Sequence, residues 1–255
     1  MRLHVPGRAV AALLAGPALS ACVVVGGGLP LAHDTQVETR AFEPGGLFTL
    51  ENVNGRVTVA TWSEPRVRIE ADKAASAESL LRGMRIEIAG EGPRVDVRTR
   101  MPGGWLFGGG GQVEYRITLP ADARVRVETV NGAVEIQGVA GELRASTTNG
   151  SVEIADAAGE VQASTVNGGI HARYRTASPD GRHRFSTTNG SITVAVPDGA
   201  GGWLEAATVN GSIQSDLTLE STGRATRRRL QGRLGKGRGS LELSTVNGSI
   251  HLRRS

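Results

Sequence analysis

The dipeptide Asn-Gly occurs seven times in the chain, and its spacing constrains the fold more than any other feature of the sequence. Four successive spacings are 18, 18, 22 and 21 residues, and the last spacing, 37, is close to two such units. A recurring period of this length is typical of repeat architectures. The seven pairs are Asn54 and Gly55, Asn131 and Gly132, Asn149 and Gly150, Asn167 and Gly168, Asn189 and Gly190, Asn210 and Gly211, and Asn247 and Gly248.

The residues that flank each asparagine alternate between apolar and polar. Threonine stands two positions before the asparagine in six copies, and Asn52 replaces it in the first. Apolar residues recur four and six positions before the asparagine and three and five positions after it, with exceptions that include His183. A period of two on both sides of a turn indicates a strand, a corner and a second strand.

Two all-β folds fit such units. Asn-Gly is typical of two-residue hairpins, which would give an antiparallel sandwich or meander. A solenoid also explains why the same side chain recurs in every unit, because each coil would lie over its predecessor and stack asparagine on asparagine, as in cross-β amide ladders. Glycine would then allow a left-handed backbone at each corner. The sequence therefore predicts a parallel β-solenoid with 18–22 residues per coil.

The repeat is interrupted between residues 60 and 120. Alternating patterns predict strands at 66–70, 85–88, 94–98 and 114–119, and a short helix at 71–82. We expect a β-rich excursion or cap that packs on the first coils, within one solenoid domain spanning residues 41–255.

The amino terminus has the features of an export signal. Arg2 and Arg8 precede an apolar stretch, and Leu19-Ser20-Ala21-Cys22 resembles the lipobox of bacterial lipoproteins. This resemblance implies a signal peptide at 1–21 and acyl chains on Cys22 that hold the protein on a membrane. The glycine-rich sequence that follows predicts a flexible tether, so residues 22–40 would comprise the lipidated cysteine and the tether. Val23 after the cysteine would direct a Gram-negative lipoprotein to the outer membrane. A conventional signal peptide with an incidental free cysteine is the alternative.

Further motifs resemble the bacterial "putative adhesin" domain family of exported β-solenoids. They are Phe42-Glu43-Pro44-Gly45-Gly46, the stretch 52–59, the stretch 115–120, and the Thr-Val-Asn-Gly repeats that end with Ser244-Thr245-Val246-Asn247-Gly248-Ser249-Ile250. The resemblance covers roughly residues 36–254. It implies a β-solenoid on an exported protein and transfers no catalytic residue.

Composition argues against several functions. Only nine of the 255 residues are aromatic, which disfavours a sugar-stacking cleft or a base-stacking nucleic-acid surface. Cleavage before Cys22 would leave 27 basic and 25 acidic residues, and this near balance predicts no nucleic-acid partner. The five histidines lack metal-ligand spacing, the carboxylates do not recur at one repeat position, and the single cysteine excludes a thiolate cluster. We expect no metal, no cofactor and no catalytic site.

Two stretches stand apart from the repeat. Residues 221–240 contain seven basic residues and no acidic one: Arg224, Arg227, Arg228, Arg229, Arg233, Lys236 and Arg238. They could bind polyanions, or they could form a solvated, mobile excursion. Trp105, Leu106 and Phe107 lie on a glycine-flanked loop that could cover one end of the solenoid or dock on a membrane or protein.

These patterns predict a non-enzymatic, lipid-anchored protein of the cell envelope that acts as a structural or binding scaffold, with an adhesin-like role. Its partners would be the membrane and an envelope protein, a glycan or an anionic lipid. The alternative is an envelope-stress or signalling component that binds anionic membrane or a partner protein. A carbohydrate-active enzyme is the third and least supported reading.

Overall fold

The computed structural model describes residues 32–102, 110–176 and 181–255, except for the side chains of residues 221–224. Within these ranges it contains twenty strands and one helix. In chain order they are β1 (Ala32–Glu51), β2 (Val57–Trp62), β3 (Arg66–Ala75), α1 (Glu78–Gly83), β4 (Arg85–Ala89), β5 (Gly92–Arg100), β6 (Gly111–Pro120), β7 (Arg124–Glu128), β8 (Val134–Gln137), β9 (Leu143–Asn149), β10 (Val152–Ala157), β11 (Val161–Asn167), β12 (Ile170–Tyr174), β13 (Arg182–Asn189), β14 (Ile192–Val196), β15 (Gly202–Asn210), β16 (Ile213–Ser215), β17 (Ser221–Ala225), β18 (Arg229–Leu234), β19 (Ser240–Asn247) and β20 (Ile250–Arg254).

The strands form two sheets around one apolar core. Sheet 1 contains the strand that precedes each Asn-Gly corner, in the order β4-β5-β1-β7-β9-β11-β13-β19-β15-β18-β17. Sheet 2 contains the strand that follows each corner, in the order β1-β3-β6-β2-β8-β10-β12-β14-β20-β16. Both sheets are parallel except at their ends. The parallel solenoid is therefore confirmed, and the antiparallel alternative is wrong.

Equivalent positions of the repeat lie directly above one another. Asn167 pairs in register with Asn149 on one side and with Asn189 on the other. On sheet 2, Ile170 pairs with Val152 and with Ile192. The period-two pattern thus places the same apolar position of every coil in the same column of the core.

The order of the coils in space differs from their order in the chain. Each coil consists of a sheet 1 strand, its corner and a sheet 2 strand, and it is named here by its asparagine. From one end the coils run Asn54, Asn131, Asn149, Asn167, Asn189, Asn247 and Asn210. The expectation that every coil lies over its predecessor is wrong for the last two coils. The Asn247 coil, which is last in the chain, lies between the Asn189 coil and the Asn210 coil.

The 37-residue gap does not contain two solenoid units. It contains the hairpin β17–β18, whose strand β18 pairs antiparallel with β15. The hairpin covers the edge of sheet 1 that β15 would otherwise expose.

An eighth coil lies beyond the Asn54 coil. Strand β5 runs parallel to β1 in sheet 1, and β6 runs parallel to β2 in sheet 2. Residues 101–110, which separate β5 from β6 in the chain, contain no Asn-Gly pair. Strands β3 and β4 add antiparallel edges at this end. The predicted excursion at 60–120 is therefore partly an additional solenoid level.

Two predicted boundaries need correction. Residues 32–40, predicted as part of the tether, belong to β1, whose residues 32–41 pair antiparallel with β3. The predicted helix at 71–82 is shorter, because residues 71–75 continue β3 and bury Ala71, Ala74 and Ala75 in the core. Only residues Glu78–Gly83 form α1.

The core consists mostly of valine, isoleucine, leucine and alanine. Its large aromatic side chains are few, and the fully buried ones are Tyr115, Phe42, Phe48 and Phe185. The coils therefore depend on close stacking of aliphatic residues for their stability. Each coil is stabilised mainly by its contacts with the coils on either side.

Candidate binding edge at the Asn-Gly corners

The seven repeat asparagines form one continuous ladder of side-chain amides. In every coil after the first, Nδ2 donates to Oδ1 of the asparagine in the neighbouring coil, at 2.8 or 2.9 Å. At the β5–β6 end, Nδ2 of Asn54 donates to the carbonyl oxygen of Gly111 at 3.0 Å. The ladder is the stacking that the repeat predicts.

A second column supports the corners from inside. The threonine two positions before the asparagine is buried, and its Oγ1 donates to the glycine carbonyl of the neighbouring coil at 2.8–3.0 Å; these threonines are Thr147, Thr165, Thr187, Thr245 and Thr208. Thr129 is the exception, because its buried hydroxyl has no hydrogen-bond partner among the described residues. The carbonyl it would reach, that of Gly55, lies 3.3 Å from Nδ2 of Asn52, which replaces threonine in that coil.

The glycines of the corners are required mainly by close approach. A Cβ at Gly150 would overlap the carbonyl oxygen of Gly132, and a Cβ at Gly248 would overlap that of Gly190. At the other five corner glycines a Cβ would likewise overlap a backbone carbonyl oxygen of the adjacent coil. The expectation of a left-handed backbone at every corner is wrong, because among these seven only Gly55, at φ 113°, lies well inside that region, and Gly168, at 159°, is nearly extended.

Next to the ladder runs an exposed ribbon of small branched side chains. It occupies the position between the threonine and the asparagine, and its exposed members are Val130, Thr148, Val166, Thr188, Val246 and Val209. Its four valines are 41–57% exposed and are four of the six large apolar side chains that the described part of the chain exposes. Sequence reasoning missed this ribbon, although an alignment on Asn-Gly places valine or threonine there in all seven copies.

We call the surface formed by the ribbon and the ladder the Asn-Gly edge. From the Asn131 coil to the Asn210 coil, the position before each asparagine and the two positions after it carry no charged residue. The edge is therefore an uncharged strip in which a column of methyl groups lies beside a column of amide groups.

The outer face of sheet 1 differs sharply from this edge. It carries exposed ion pairs, such as Arg126 with Glu128 at 2.6 Å and Arg184 with Glu242 at 2.7 Å. A further pair joins Arg98 to Glu51, and the Arg98 hydrogen bond lowers the pKa of Glu51. Exposed pairs of this kind add little stability, but they surround the edge with strongly hydrated groups.

The comparisons with known proteins agree with this architecture. A family model described as Toastrack DUF4097 matches residues 115–253, which is more than half of the chain. The chain belongs to this family. The Toastrack match begins within β6 and includes every corner from Asn131 to Asn247.

The solved structures that are similar to this chain have low sequence identity to it. The structure of a "putative cell adhesion protein" from Clostridium sporogenes has a TM-score of 0.50 and 14% identity, over 87% of this chain and 100% of that chain. A "putative lipid binding protein" from Parabacteroides distasonis has a TM-score of 0.36 and 10% identity, over 87% of this chain and 97% of that chain. The Clostridium sporogenes structure shows similarity of fold alone, because its sequence identity is only 14%. No curated protein matches the chain.

The basic segment of this Toastrack domain is folded where the structure describes it. Arg227 and Arg228 form the exposed tip of the β17–β18 hairpin, and their carbonyl oxygens accept from the N–H groups of Ile213 and Thr208 at 2.9 Å. Arg229 pairs with Glu205 at 2.7 Å. The predicted excursion therefore contains a hairpin whose described tip is exposed to solvent. Whether the segment binds polyanions stays a prediction for Arg224, Arg227, Arg228, Arg229, Arg233, Lys236 and Arg238.

His183 is a buried structural residue. Its Nδ1 lies 2.8 Å from Oη of Tyr174 and 3.3 Å from the N–H of Val161. Among the described residues no group of three or more His, Cys, Asp or Glu side chains is placed to hold a metal ion. In that same part of the chain no helix is long and apolar enough to cross a membrane. Cys22 and the loop with Trp105, Leu106 and Phe107 lie outside the described residues.

Proposed function

We propose that this protein is a non-enzymatic, lipid-anchored protein of the cell envelope that acts as an adhesin-like binding scaffold through its Asn-Gly edge. The observation that carries the proposal is the exposed ribbon beside an unbroken amide ladder. Four valines exposed at one repeat position of a rigid rod are an unusual use of surface, because apolar side chains in line mark interaction sites.

The chemistry of the edge favours an uncharged ligand. Each interior carboxamide uses one N–H and one oxygen lone pair within the ladder, and the second N–H and second lone pair remain for a ligand. The valine and threonine methyl groups lie directly beside them. A neutral polymer of the envelope, a glycan or an extended protein segment, would meet the same pair of contacts on successive coils, and weak contacts repeated along one rigid edge add up to firm binding.

Charge placed on the ribbon tests this role of the edge. We expect the full-length double variant Val166→Glu/Val246→Glu to lose binding to purified cell envelopes in a sedimentation assay. The control is Val37→Glu, which places a charge on a valine of β1 that is away from the corners and more exposed than either ribbon valine, 53% against 42% and 41%. Equal binding by both variants would exclude the edge. Depolymerisation of an envelope polysaccharide by the purified protein would overturn the non-enzymatic proposal.

The lipid anchor rests on the motif Leu19-Ser20-Ala21-Cys22. Wild-type protein should fractionate with membranes, in a Gram-negative host with the outer membrane, and incorporate a labelled fatty acid. Cys22→Ser should abolish the label and release the protein into the soluble fraction. Retention of unlabelled Cys22→Ser on membranes would contradict anchoring through this cysteine.

A second candidate function is an envelope-stress or signalling component that binds anionic membrane. It is favoured by the position of Arg227 and Arg228 at an exposed hairpin tip. Under this proposal Arg227→Ala/Arg228→Ala should abolish binding to vesicles that contain an anionic phospholipid, and Arg227→Lys/Arg228→Lys should retain it. Binding that survives the alanine variant would remove this role for the hairpin tip.

A further inference from the structure

All seven Asn-Gly pairs share one chemical vulnerability. The backbone nitrogen after an asparagine can attack the side-chain carbonyl carbon, and glycine at the second position offers no Cβ to obstruct the attack. The reaction requires the carboxamide to turn toward the following N–H. Any contact that fixes the carboxamide or the glycine N–H slows it.

In six of the seven pairs, hydrogen bonds fix both the asparagine carboxamide and the glycine N–H. From Asn54 to Asn247 along the stack, each Oδ1 accepts from Nδ2 of the next coil at 2.8–2.9 Å. In each of these coils the glycine N–H also donates to the asparagine carbonyl of the next coil, at 2.9 or 3.0 Å. In both bonds the partner belongs to the coil on the β17–β18 side, which donates the side-chain bond and accepts the backbone bond, so each coil is protected by the coil that follows it in space.

The Asn210 coil has no such neighbour. Nδ2 of Asn210 donates to Asn247, but no described residue donates to Oδ1 of Asn210. The β17–β18 hairpin binds the N–H groups of Thr208 and Ile213 and leaves the N–H of Gly211 without an acceptor among the described residues. Gly211 is also the one exposed glycine of the seven corners.

We infer that Asn210–Gly211 is a site of spontaneous deamidation and that it reacts before the other six Asn-Gly pairs. The Gly211 nitrogen bonds to Cγ of Asn210 and gives its proton to a solvent base. Nδ2 takes a proton from solvent, the bond from Cγ to Nδ2 breaks, and ammonia leaves. The resulting succinimide adds one water molecule at either carbonyl and opens to aspartate or isoaspartate at position 210, without any oxidation or reduction.

The product loosens the end of the stack. A carboxylate has no N–H to donate, so Oδ1 of Asn247 loses its partner. Isoaspartate also lengthens the main chain within a corner that packs against Gly248. The terminal coil is then the first to detach, while the interior ladder stays closed.

The chain contains its own matched control. Residues 208–213 and 245–250 have the identical sequence Thr-Val-Asn-Gly-Ser-Ile, so local sequence effects on Asn210 and Asn247 are equal. Purified full-length protein is incubated in mildly alkaline buffer, and conversion at each asparagine is followed by site-resolved mass spectrometry. Because two hydrogen bonds protect Asn247 and not Asn210, we expect Asn210 to react at least about tenfold faster.

Denaturation separates this explanation from a sequence effect. In concentrated denaturant the two sites should react at the same rate. Equal rates in the folded protein, or faster conversion at Asn247, would overturn the inference. A rate difference that persists in denaturant would overturn it as well, because the folded ladder would then not be its cause.

Discussion

Nδ2 of Asn247 donates to Oδ1 of Asn189, 58 positions earlier in the chain, at 2.8 Å. Asn210 lies between them in sequence, but its own Nδ2 donates to Asn247 from the opposite side, at 2.9 Å. The last coil is thus inserted between two coils that precede it in the chain. Strand β15 depends on residues that are synthesised after it.

Removal of the last coil should therefore release more than the last coil. A protein that ends at residue 239 lacks β19 and β20, so β15 loses its parallel partner. We expect the amides of β15 and β16 to exchange hydrogen at rates typical of unprotected chain, while β9 and β11 stay protected. Continued protection of β15 would mean that the Asn210 coil can occupy the vacant place on the Asn189 coil.

The ladder predicts unequal effects of the same substitution. Asn167→Ala removes two amide bonds and leaves both neighbours with an unpaired group, whereas Asn210→Ala removes one. We expect the free energy of unfolding to fall by about 1–2 kcal/mol for Asn167→Ala and by about half as much for Asn210→Ala, in urea titrations. Equal losses would show that the ladder bonds contribute little.

Replacing threonine by valine should have different effects at two positions of the threonine column. Thr165→Val removes a hydroxyl that donates to the Gly150 carbonyl at 2.9 Å, and this should cost about 1 kcal/mol. Thr129→Val removes a buried hydroxyl without a described partner, so it should leave the free energy of unfolding unchanged or raise it. A loss at position 129 as large as that at position 165 would contradict the contrast.

The repeat pattern was sufficient to predict the coil but not its place in the stack. Thr165 and Asn167 pair in register with Thr147 and Asn149 because the alternating pattern and the corner leave one alignment that buries every aliphatic residue. The order of the last two coils has no such signal. The segments at 208–213 and 245–250 are identical, so their sequence does not indicate which of them lies on the Asn189 coil. In the structure β19 pairs with β13, and β15 pairs with β19 and β18.

The eighth coil had a weak signal that an Asn-Gly search could not find. Val95, Val97 and Thr99 repeat the pattern of Val125, Val127 and Thr129, and β5 pairs with the same strand as β7. The sequence between β5 and β6 contains no Asn-Gly pair, so the repeat marker is missing. The exposed ribbon was overlooked for a different reason, because a search for charges and catalytic side chains passes over valine.

Gly150 and Gly169, in neighbouring coils, test whether close approach of the backbone makes alanine unfavourable at the corners. Neither glycine has a left-handed backbone, so strain of that kind does not contribute. Gly150→Ala would drive a Cβ into the Gly132 carbonyl oxygen, which the rigid stack cannot move aside. Gly169→Ala places a Cβ 3.3 Å from the Ser191 carbonyl oxygen, at a position where five other coils carry Ser or Ala. We expect Gly150→Ala to cost roughly 3 kcal/mol or more and Gly169→Ala less than about 1 kcal/mol, measured by thermal unfolding. Similar midpoints for both variants would refute the close-approach explanation.

Tyr115 should make stability depend on pH in the alkaline range. Burial raises the pKa of Tyr115 to about 12, and its hydrogen bond with Thr99, at 2.7 Å, opposes part of this rise. In the unfolded chain the phenol ionises near pH 10, so between pH 10 and 12 ionisation favours the unfolded state. The contribution of Tyr115 is complete below pH 10 and is lost as the pH rises through about 12.

Tyr115→Phe isolates this contribution. At pH 8 the variant should be less stable by about 1 kcal/mol, because Thr99 loses one of its two hydrogen-bond partners. As the pH rises above 10 the wild type loses stability at this site and the variant does not, so the difference should shrink and then reverse, by up to about 3 kcal/mol in total. Tyr174, whose burial also raises its pKa, is present in both proteins and cancels from the comparison. Urea titrations at pH 8, 10 and 11.5 measure the difference directly, and a constant gap across that range would show that the Tyr115 phenol ionises equally readily in the folded and unfolded chains.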